Sequence, residues 1–394
     1  MSSSSAHPKK LSLSMAISIG VKAIIGAGLF TAPSALQMTA GPAGILTYII
    51  ASIAAMCMAL AIARVTKLYP EKGAFYSYAK EWGGPTWGVI AVLSYIIGLI
   101  IALGLLALVA GMYMHPYLPT LHPATLGIAL ITLIVFAHLA GAQIAKTGQK
   151  ILLILTYLSI ILVTLLCFLK ADMSNLVPFF PNGWKSIFTA IPVVIFGFFG
   201  FEAIPSLFDD IEHPQKNVPL AIIWTMLLVG FTYIIFTGSI FIGLPREFFV
   251  NTQTPLSTVL LRIYPNFTWL VTLIGWSIII AIVGVLHAMI WSLSALVVDT
   301  GNLILHKTKS ISRKNALIGI GIFSALSCLL FKNKIDLMFS LVALSVVFAY
   351  ATAIAVLLLR SKGRSAYQII IALLGLATAA LIFGCALMRV FAAY

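Results

Sequence analysis

Two apolar segments of this chain are interrupted by glycine: Ile25-Gly26-Ala27-Gly28-Leu29-Phe30 and Phe196-Gly197-Phe198-Phe199-Gly200-Phe201-Glu202. Each lies inside a run long enough to cross a bilayer. Hydrocarbon holds no water to satisfy a freed backbone, so a helix broken at mid-depth is tolerated only where it is buried in protein or lines a cavity. Paired breaks at corresponding places in two halves of a chain point to a ligand site between them. Gly28 is followed five residues on by Pro33-Ser34, and Gly200 five residues on by Pro205-Ser206. On the span count below the two segments enter from opposite faces. Spans 1–5 and 6–10 then read as inverted copies, with span 11 an addition.

Around these breaks the chain is apolar throughout. Of its 394 residues 61% are hydrophobic and 9% charged, with a mean hydropathy of +1.10. A soluble domain could not cover that much apolar surface with so few charges. The apolar runs are continuous and do not alternate, which excludes a membrane β-barrel. The expected fold is therefore an all-α polytopic membrane protein with about eleven spans. They fall near 15–40, 43–63, 86–113, 124–142, 150–169, 186–211, 217–243, 268–298, 315–331, 335–359 and 367–390. Residues 1–14 read as a polar tail and 15–394 as one transmembrane domain, with spans 1–5 at 15–169, spans 6–10 at 186–359 and span 11 at 367–390. The first apolar run is too long for a signal-peptide core and reads as a retained helix.

The net charge of +14 lies mostly in short links between spans. Sixteen of the 24 Lys and Arg fall on the side of the N-terminus, seven on the other, and Lys22 inside a span. That bias places the N-terminus in the cytoplasm and, with an odd span count, the C-terminus outside. The basic residues form no soluble aromatic-interleaved patch, so no nucleic-acid partner is expected. Cys57, Cys167, Cys328 and Cys385 all lie in apolar spans without metal-ligand spacing and read as small buried hydrophobes. The link at 65–85, with Tyr76-Ser77-Tyr78, reads either as an amphipathic element packed on the inner face or as an interfacial anchor.

Where a helix unwinds, one half-helix end presents N–H groups and the other C=O groups. The first suits a carboxylate and the second an ammonium group, so a site built from both suits a zwitterion. Gly26 and Gly28 let backbone approach a ligand closely; small residues serving tight helix packing are the alternative.

The combination of motifs resembles the amino acid–polyamine–organocation (APC) permeases. Ile25 to Phe30 is similar to that family's first-helix signature. Pro70, Gly73, Tyr76-Ser77-Tyr78 and Gly83-Gly84 resemble its loop after span 2. Pro178-Phe179, Phe196 to Glu202, and Glu212 through Pro219 resemble its sixth span and the loop that follows. The resemblance covers roughly residues 15–300. It implies a 5+5 inverted-repeat fold with substrate between broken spans 1 and 6. The implied binding set is Ile24, Ile25, Gly26, Ala27, Gly28, Phe196, Gly197, Phe198, Phe199 and Gly200. Within it the N–H groups of Ala27 and Gly28 would hold a carboxylate, and the carbonyls of Ile24, Phe196 and Phe199 would face an α-ammonium. Phe196 would close over the substrate from outside, with Glu202 just below it toward the inner gate.

Three positions depart from that pattern. Ala27 stands where the family often has Ser. Thr156 in span 5 stands where some members carry a lysine in place of a sodium ion. Lys22 stands where a small residue is usual. An ammonium in the bilayer core is costly, so Lys22 either faces a cavity or partner or snorkels to the inner interface. Glu202, an acid at mid-depth, reads as a proton carrier or as a structural carboxylate on the broken helix. Gating and coupling are thus assigned to Phe196, Glu202, Lys22 and Thr156. Four aromatics, Phe196, Phe198, Phe199 and Phe201, suggest an aromatic pocket that leans toward a neutral, apolar side chain, with a cationic one stacked on an aromatic face as the alternative. The acidic run Asp209, Asp210, Glu212 with His213 is explained by the resemblance without a metal, and His138 and His287 read as buried, hydrogen-bonded histidines. No P-loop, zinc-protease helix or nucleophile elbow is present.

The expected function is a secondary transporter of the inner or plasma membrane, not an enzyme. It would move an amino acid by alternating access, proton-coupled or by exchange, without cofactor or metal. The alternatives are a polyamine or amine-metabolite exchanger, and a non-transporting solute sensor on the same fold. The expected partners are the small-molecule substrate and the bilayer.

Overall fold

The computed structural model describes residues 10–69, 75–141, 146–252, 254–304, 311–360 and 365–392. Pro70 and Gly73 lie outside them. The first apolar run splits into α1 (Leu13–Ile24) and α2 (Ala27–Thr39). Ser12 caps α1 by accepting from the Met15 N–H, and Gly26 stands at the start of α2. α3 (Gly44–Leu68) leads to α4 (Phe75–Met114), a helix broken at Gly84, whose φ is 79°, just before Pro85. α5 (Pro123–Leu139) and α6 (Lys146–Leu169) follow. Next come α7 (Ser186–Thr189), α8 (Ile191–Phe196) and α9 (Ala203–Ser206), with the glycine-rich stretch unwound between α8 and α9. α10 (Pro214–Gly243) opens with Pro at its first position and is followed by the short α11 (Leu256–Ile263). α12 (Thr268–Ile304), α13 (Arg313–Leu330), α14 (Ile335–Leu359) and α15 (Ala366–Ala392) end the described chain.

By length and composition, eight helices among the described residues can cross a membrane, or nine if α1 and α2, bent by 41°, count as one span. The expectation was eleven. α5, expected at 124–142, is helical but rises only about 25 Å, short of a ~30 Å hydrocarbon core. The span expected at 186–211 is cut into pieces by its own break. α5 falls short by length, and the expected sixth span is helical only on either side of its unwound stretch.

α14 packs against α4, and α15 packs against α14 and α3. The largest fully buried side chains include Tyr48, Tyr233, Tyr350, Phe198 and Phe201, so the center of the protein is aromatic and polar-tipped. Large apolar side chains such as Leu133, Ile154, Phe231, Phe323 and Leu373 are exposed, as suits helix faces that meet lipid.

Candidate substrate site

The two breaks lie against each other. A Cβ on Gly28 would stand 2.8 Å from the Gly197 Cα, so only glycine allows this approach. Gly200 has φ +113°, and a Cβ there would stand 2.5 Å from the Ala23 carbonyl oxygen. Sequence and geometry therefore agree on why these positions are glycine: each backbone runs where the other's side chain would be. The Tyr233 hydroxyl of α10 pins the junction, 3.1 Å from the Ile24 carbonyl oxygen and 2.9 Å from that of Gly197. The Ile24 carbonyl keeps a second lone pair for a ligand.

A cavity of about 570 Å³ opens beside the junction. Ile24, Gly26, Gly28, Phe196, Gly197, Phe199, Gly200 and Glu202 of the expected set border it. It runs toward the face that carries the start of α1, because Thr66 near the end of α3, Tyr78 near the start of α4, and Leu296 of α12 also line it. The link at 65–85 resolves accordingly. Phe75 to Ala79 are buried in α4, and Phe75 and Tyr78 line the cavity, so the described part packs into the protein and is no simple anchor.

The opposite end is closed. Phe196, buried, meets Phe339 of α14 edge-on with ring centroids 5.5 Å apart. The Tyr113 hydroxyl donates to the Phe30 carbonyl at 3.3 Å and accepts from the Leu256 N–H at 3.2 Å, stitching α2, α4 and α11 together. Ser34 donates to the Thr254 carbonyl at 2.5 Å.

Glu202 sits on the cavity wall with every oxygen engaged. Its Oε1 accepts from the Tyr95 hydroxyl of α4 at 2.7 Å. Its Oε2 accepts from the Tyr350 hydroxyl of α14 at 2.8 Å and from the Gly200 N–H at 3.0 Å. A carboxylate, acceptor only, matches this shell of three donors. The cluster joins the unwound stretch to α4 and α14, and the rings of Phe75, Phe201 and Tyr95 pack at a tilt around Tyr350.

Two aromatic expectations are corrected. Phe198 is 0% exposed and packs against Tyr48 and Tyr233, away from the cavity. Phe201 is equally buried, against Tyr350. In an unwound stretch successive side chains point in different directions, so four aromatics in sequence do not share a wall. Ile25 borders a different, second cavity rather than this one. The residues that the sequence reading missed, Tyr95, Tyr233 and Tyr350, come from three helices remote in sequence and carry no local motif.

A family model described as amino acid permease matches residues 11–393, nearly the whole chain. The chain belongs to the amino acid permease family, within the APC superfamily. Among its relatives is the branched-chain amino acid permease BcaP of Bacillus subtilis, 23% identical over 69% of this chain and 63% of BcaP. An uncharacterized transporter of Mycobacterium tuberculosis is 25% identical over 73% of this chain and 64% of its own length. The methylthioribose transporter of Bacillus subtilis is 27% identical over 58% of this chain and 55% of its own. The matches thus span less than two thirds of the length of these curated relatives.

This permease-family chain has a second cavity, of about 320 Å³, between α1, α6 and α12. Lys22, Thr156, His287 and Trp291 line it. Lys22 has an exposed side chain at its edge and is not sealed in the core. The Thr156 hydroxyl donates back to the Leu152 carbonyl at 2.9 Å. Beside the cavity the His138 and His287 rings lie 4.2 Å apart, with His138 Nε2 3.2 Å from the His287 carbonyl. Trp291 stacks on His138, and the Arg313 guanidinium lies 3.3 Å from the Trp291 ring center.

Proposed function

We propose that this chain is a secondary transporter that carries a zwitterionic amino acid with an uncharged, apolar side chain by alternating access. The observation that carries the reading is the cavity at the crossed breaks, reachable toward one face and closed at the other. α2 begins at Ala27, so the N–H groups of Ala27 and Gly28 belong to the positive end of a half-helix, where a carboxylate is favored. The Ile24 carbonyl ends the preceding half-helix and suits an ammonium. Phe196 and Phe199 would enclose the α-carbon.

The relatives' names cover branched-chain amino acids, cationic amino acids and methylthioribose, so likeness alone leaves the side-chain class open. The lining favors an apolar one. Ala102, Leu106, Val285, Met289 and Leu293 make up much of the wall, and Tyr95, Tyr350 and Gly200 already take three of the roughly four acceptor positions of Glu202. A cationic side chain would compete with these ties for a carboxylate that keeps a single lone pair, on Oε1. Glu202 acts in this reading as the proton-responsive tie between the unwound stretch and α4 and α14, and Lys22 supplies positive charge beside Thr156 in the second cavity. The inverted 5+5 repeat contributes one broken span from each half to the unit that moves, and the membrane is the cell membrane with the N-terminus inside.

Purified protein in liposomes, given labeled amino acids, amines and methylthioribose under imposed pH and sodium gradients, tests this. Uptake of branched or other apolar amino acids, competed by their own kind and not by decarboxylated amines, is the expected result. Uptake confined to amines or methylthioribose overturns the substrate class, and no uptake of any compound under any gradient overturns transport.

A further inference from the structure

The last helix, α15, has no role in the substrate site, yet it carries a buried arginine. Arg389 lies in its last turn and is 8% exposed. An arginine removed from water needs its donors satisfied. Its Nη1 donates to the Thr189 carbonyl at 2.7 Å. Its Nη2 donates to the Thr39 hydroxyl at 3.2 Å and pairs with Asp336 Oδ1 at 2.5 Å. Thr39 is the last residue of α2, the half-helix leaving the first break. Thr189 ends α7, directly before the half-helix that enters the second break. Asp336 is in the first turn of α14. One guanidinium thus holds the far ends of both broken spans against the α14–α15 pair.

The far halves are also tied to each other. Asn182, just before α7, donates to the carbonyls of Met38 and Thr39 at 2.7 and 2.9 Å. The near halves are joined by different bonds. The Leu11 N–H donates to the Asp210 carbonyl at 2.8 Å, and the Glu212 N–H to the Leu11 carbonyl at 2.9 Å. At that face α15 is fixed through Gln368, which accepts from Arg64 at 3.3 Å and donates to the Leu357 carbonyl at 3.1 Å. Neither Arg64 nor Leu357 is on a broken span. At the closed face α15 reaches both broken spans through Arg389.

We propose that Arg389 is a positioning residue, a latch by which the last helix holds the far halves of both broken spans in the closed position and so sets the balance between the two facing states. Asn182 keeps the two far halves together as one unit. Releasing Arg389 removes the polar tie between that unit and the α14–α15 pair, leaving the Phe196–Phe339 packing, without taking the unit apart. The near halves, joined through Leu11, are untouched. The inference rests on the alternating-access reading above.

The test reads facing directly and needs no substrate. A single reporter cysteine replaces Ala102 on the cavity wall, with the four native cysteines removed. A membrane-impermeant thiol reagent is then applied to each face in oriented vesicles. In the parent, labeling is fast from the face that carries the start of α1 and slow from the other. Arg389→Lys keeps the charge but loses the fork that reaches Thr39 and Thr189 together. It should raise labeling from the closed face about tenfold and lower it from the open face. Asp336→Asn, which weakens one arm only, should give a smaller shift in the same direction. Unchanged labeling from both faces in Arg389→Lys overturns the latch. So does an equal rise from both faces with a lowered thermal midpoint, which marks Arg389 as a fold-stabilizing residue only. If the parent takes up no solute yet the labeling shift appears, the transport reading fails and the latch stands.

Discussion

At the scale of single residues, Glu202 carries the sharpest expectation. Oε1 faces the Tyr95 hydroxyl alone, while Oε2 faces Tyr350 and the Gly200 N–H. In Glu202→Gln the amide nitrogen can take the Tyr95 side, because a hydroxyl turns to accept whereas a backbone N–H cannot. The variant should therefore fold and bind substrate within about threefold of the parent. It should lose most of the pH dependence of uptake, since a glutamine carries no exchangeable charge. A pH profile unchanged from the parent would leave Glu202 as a tie alone. Two phenylalanines two positions apart separate binding from folding. Phe196→Ala removes a wall of the cavity and should weaken substrate binding about tenfold, read by calorimetry or competition. Phe198→Ala empties a fully buried site between Tyr48 and Tyr233. It should cost about 3–5 kcal/mol of stability, seen as a lowered thermal midpoint with affinity retained. Glycine alone did not mark the breaks, since Gly104, Gly111 and Gly127 serve helix packing; the paired glycines with a Pro-Ser five residues on made them legible. That pattern did not reveal which aromatic points where, since an unwound segment has no period to read. Nor did it reveal Tyr95, Tyr233 and Tyr350, whose roles come from tertiary proximity alone.

At the scale of helices, continuous apolar runs made the elements readable, and the two span counts differ at α5 and at the second break, where helix length and apolar run part company. α5 and the pieces around the second break are helical but short, because one ends early and the other is unwound. The 65–85 link was ambiguous for a physical reason: Phe75, Tyr76 and Tyr78 have amphipathic rings that suit an interface or a core equally. Packing against α14 decides it, with the Phe75 ring 5.6 Å from that of Tyr350. The gap between α1, α6 and α12 carries a further expectation. Lys22 and Thr156 border one cavity there, as do Ile25 and Gly26 at the break itself. A lysine ammonium at that edge repels sodium, so uptake by the parent should be independent of sodium. Lys22→Ala should fold, because the side chain is exposed, and should either gain a sodium response or lose its coupling to the pH gradient. Strong sodium stimulation of the parent, or an alanine variant with unchanged kinetics and pH profile, would remove Lys22 from coupling and leave it an interfacial residue.

At the scale of the whole molecule, the closed face and the open face are built from different kinds of contact. Aromatic packing and side-chain bonds from α4, α11, α14 and α15 close one, while the near halves of the broken spans are joined mainly to each other and to α10. Substrate in the cavity touches both sets, so its two polar ends are expected to be needed together. The carboxylate would sit at the start of α2, and the ammonium at the end of α1 and beside the carbonyls of the unwound stretch. Removing either end leaves a half-helix terminus facing the other charge without a partner. An amino acid amide, an N-acetyl amino acid and a decarboxylated amine should each compete at least about a hundredfold more weakly than the parent amino acid, the sum of one or two lost charge-assisted hydrogen bonds. Side-chain changes should be graded differently. Each methylene added to or removed from an apolar side chain should change affinity by about tenfold or less, because the wall of Ala102, Leu106, Val285, Met289 and Leu293 discriminates by volume. A side-chain ammonium should cost more than any methylene, since Glu202, the one carboxylate on the wall among the described residues, already accepts three hydrogen bonds. Equilibrium competition against a labeled apolar amino acid measures all of these on one scale. A decarboxylated amine that binds as tightly as its amino acid would overturn the two-ended site, and a lysine that outcompetes leucine would overturn the apolar assignment while leaving the two-ended site intact.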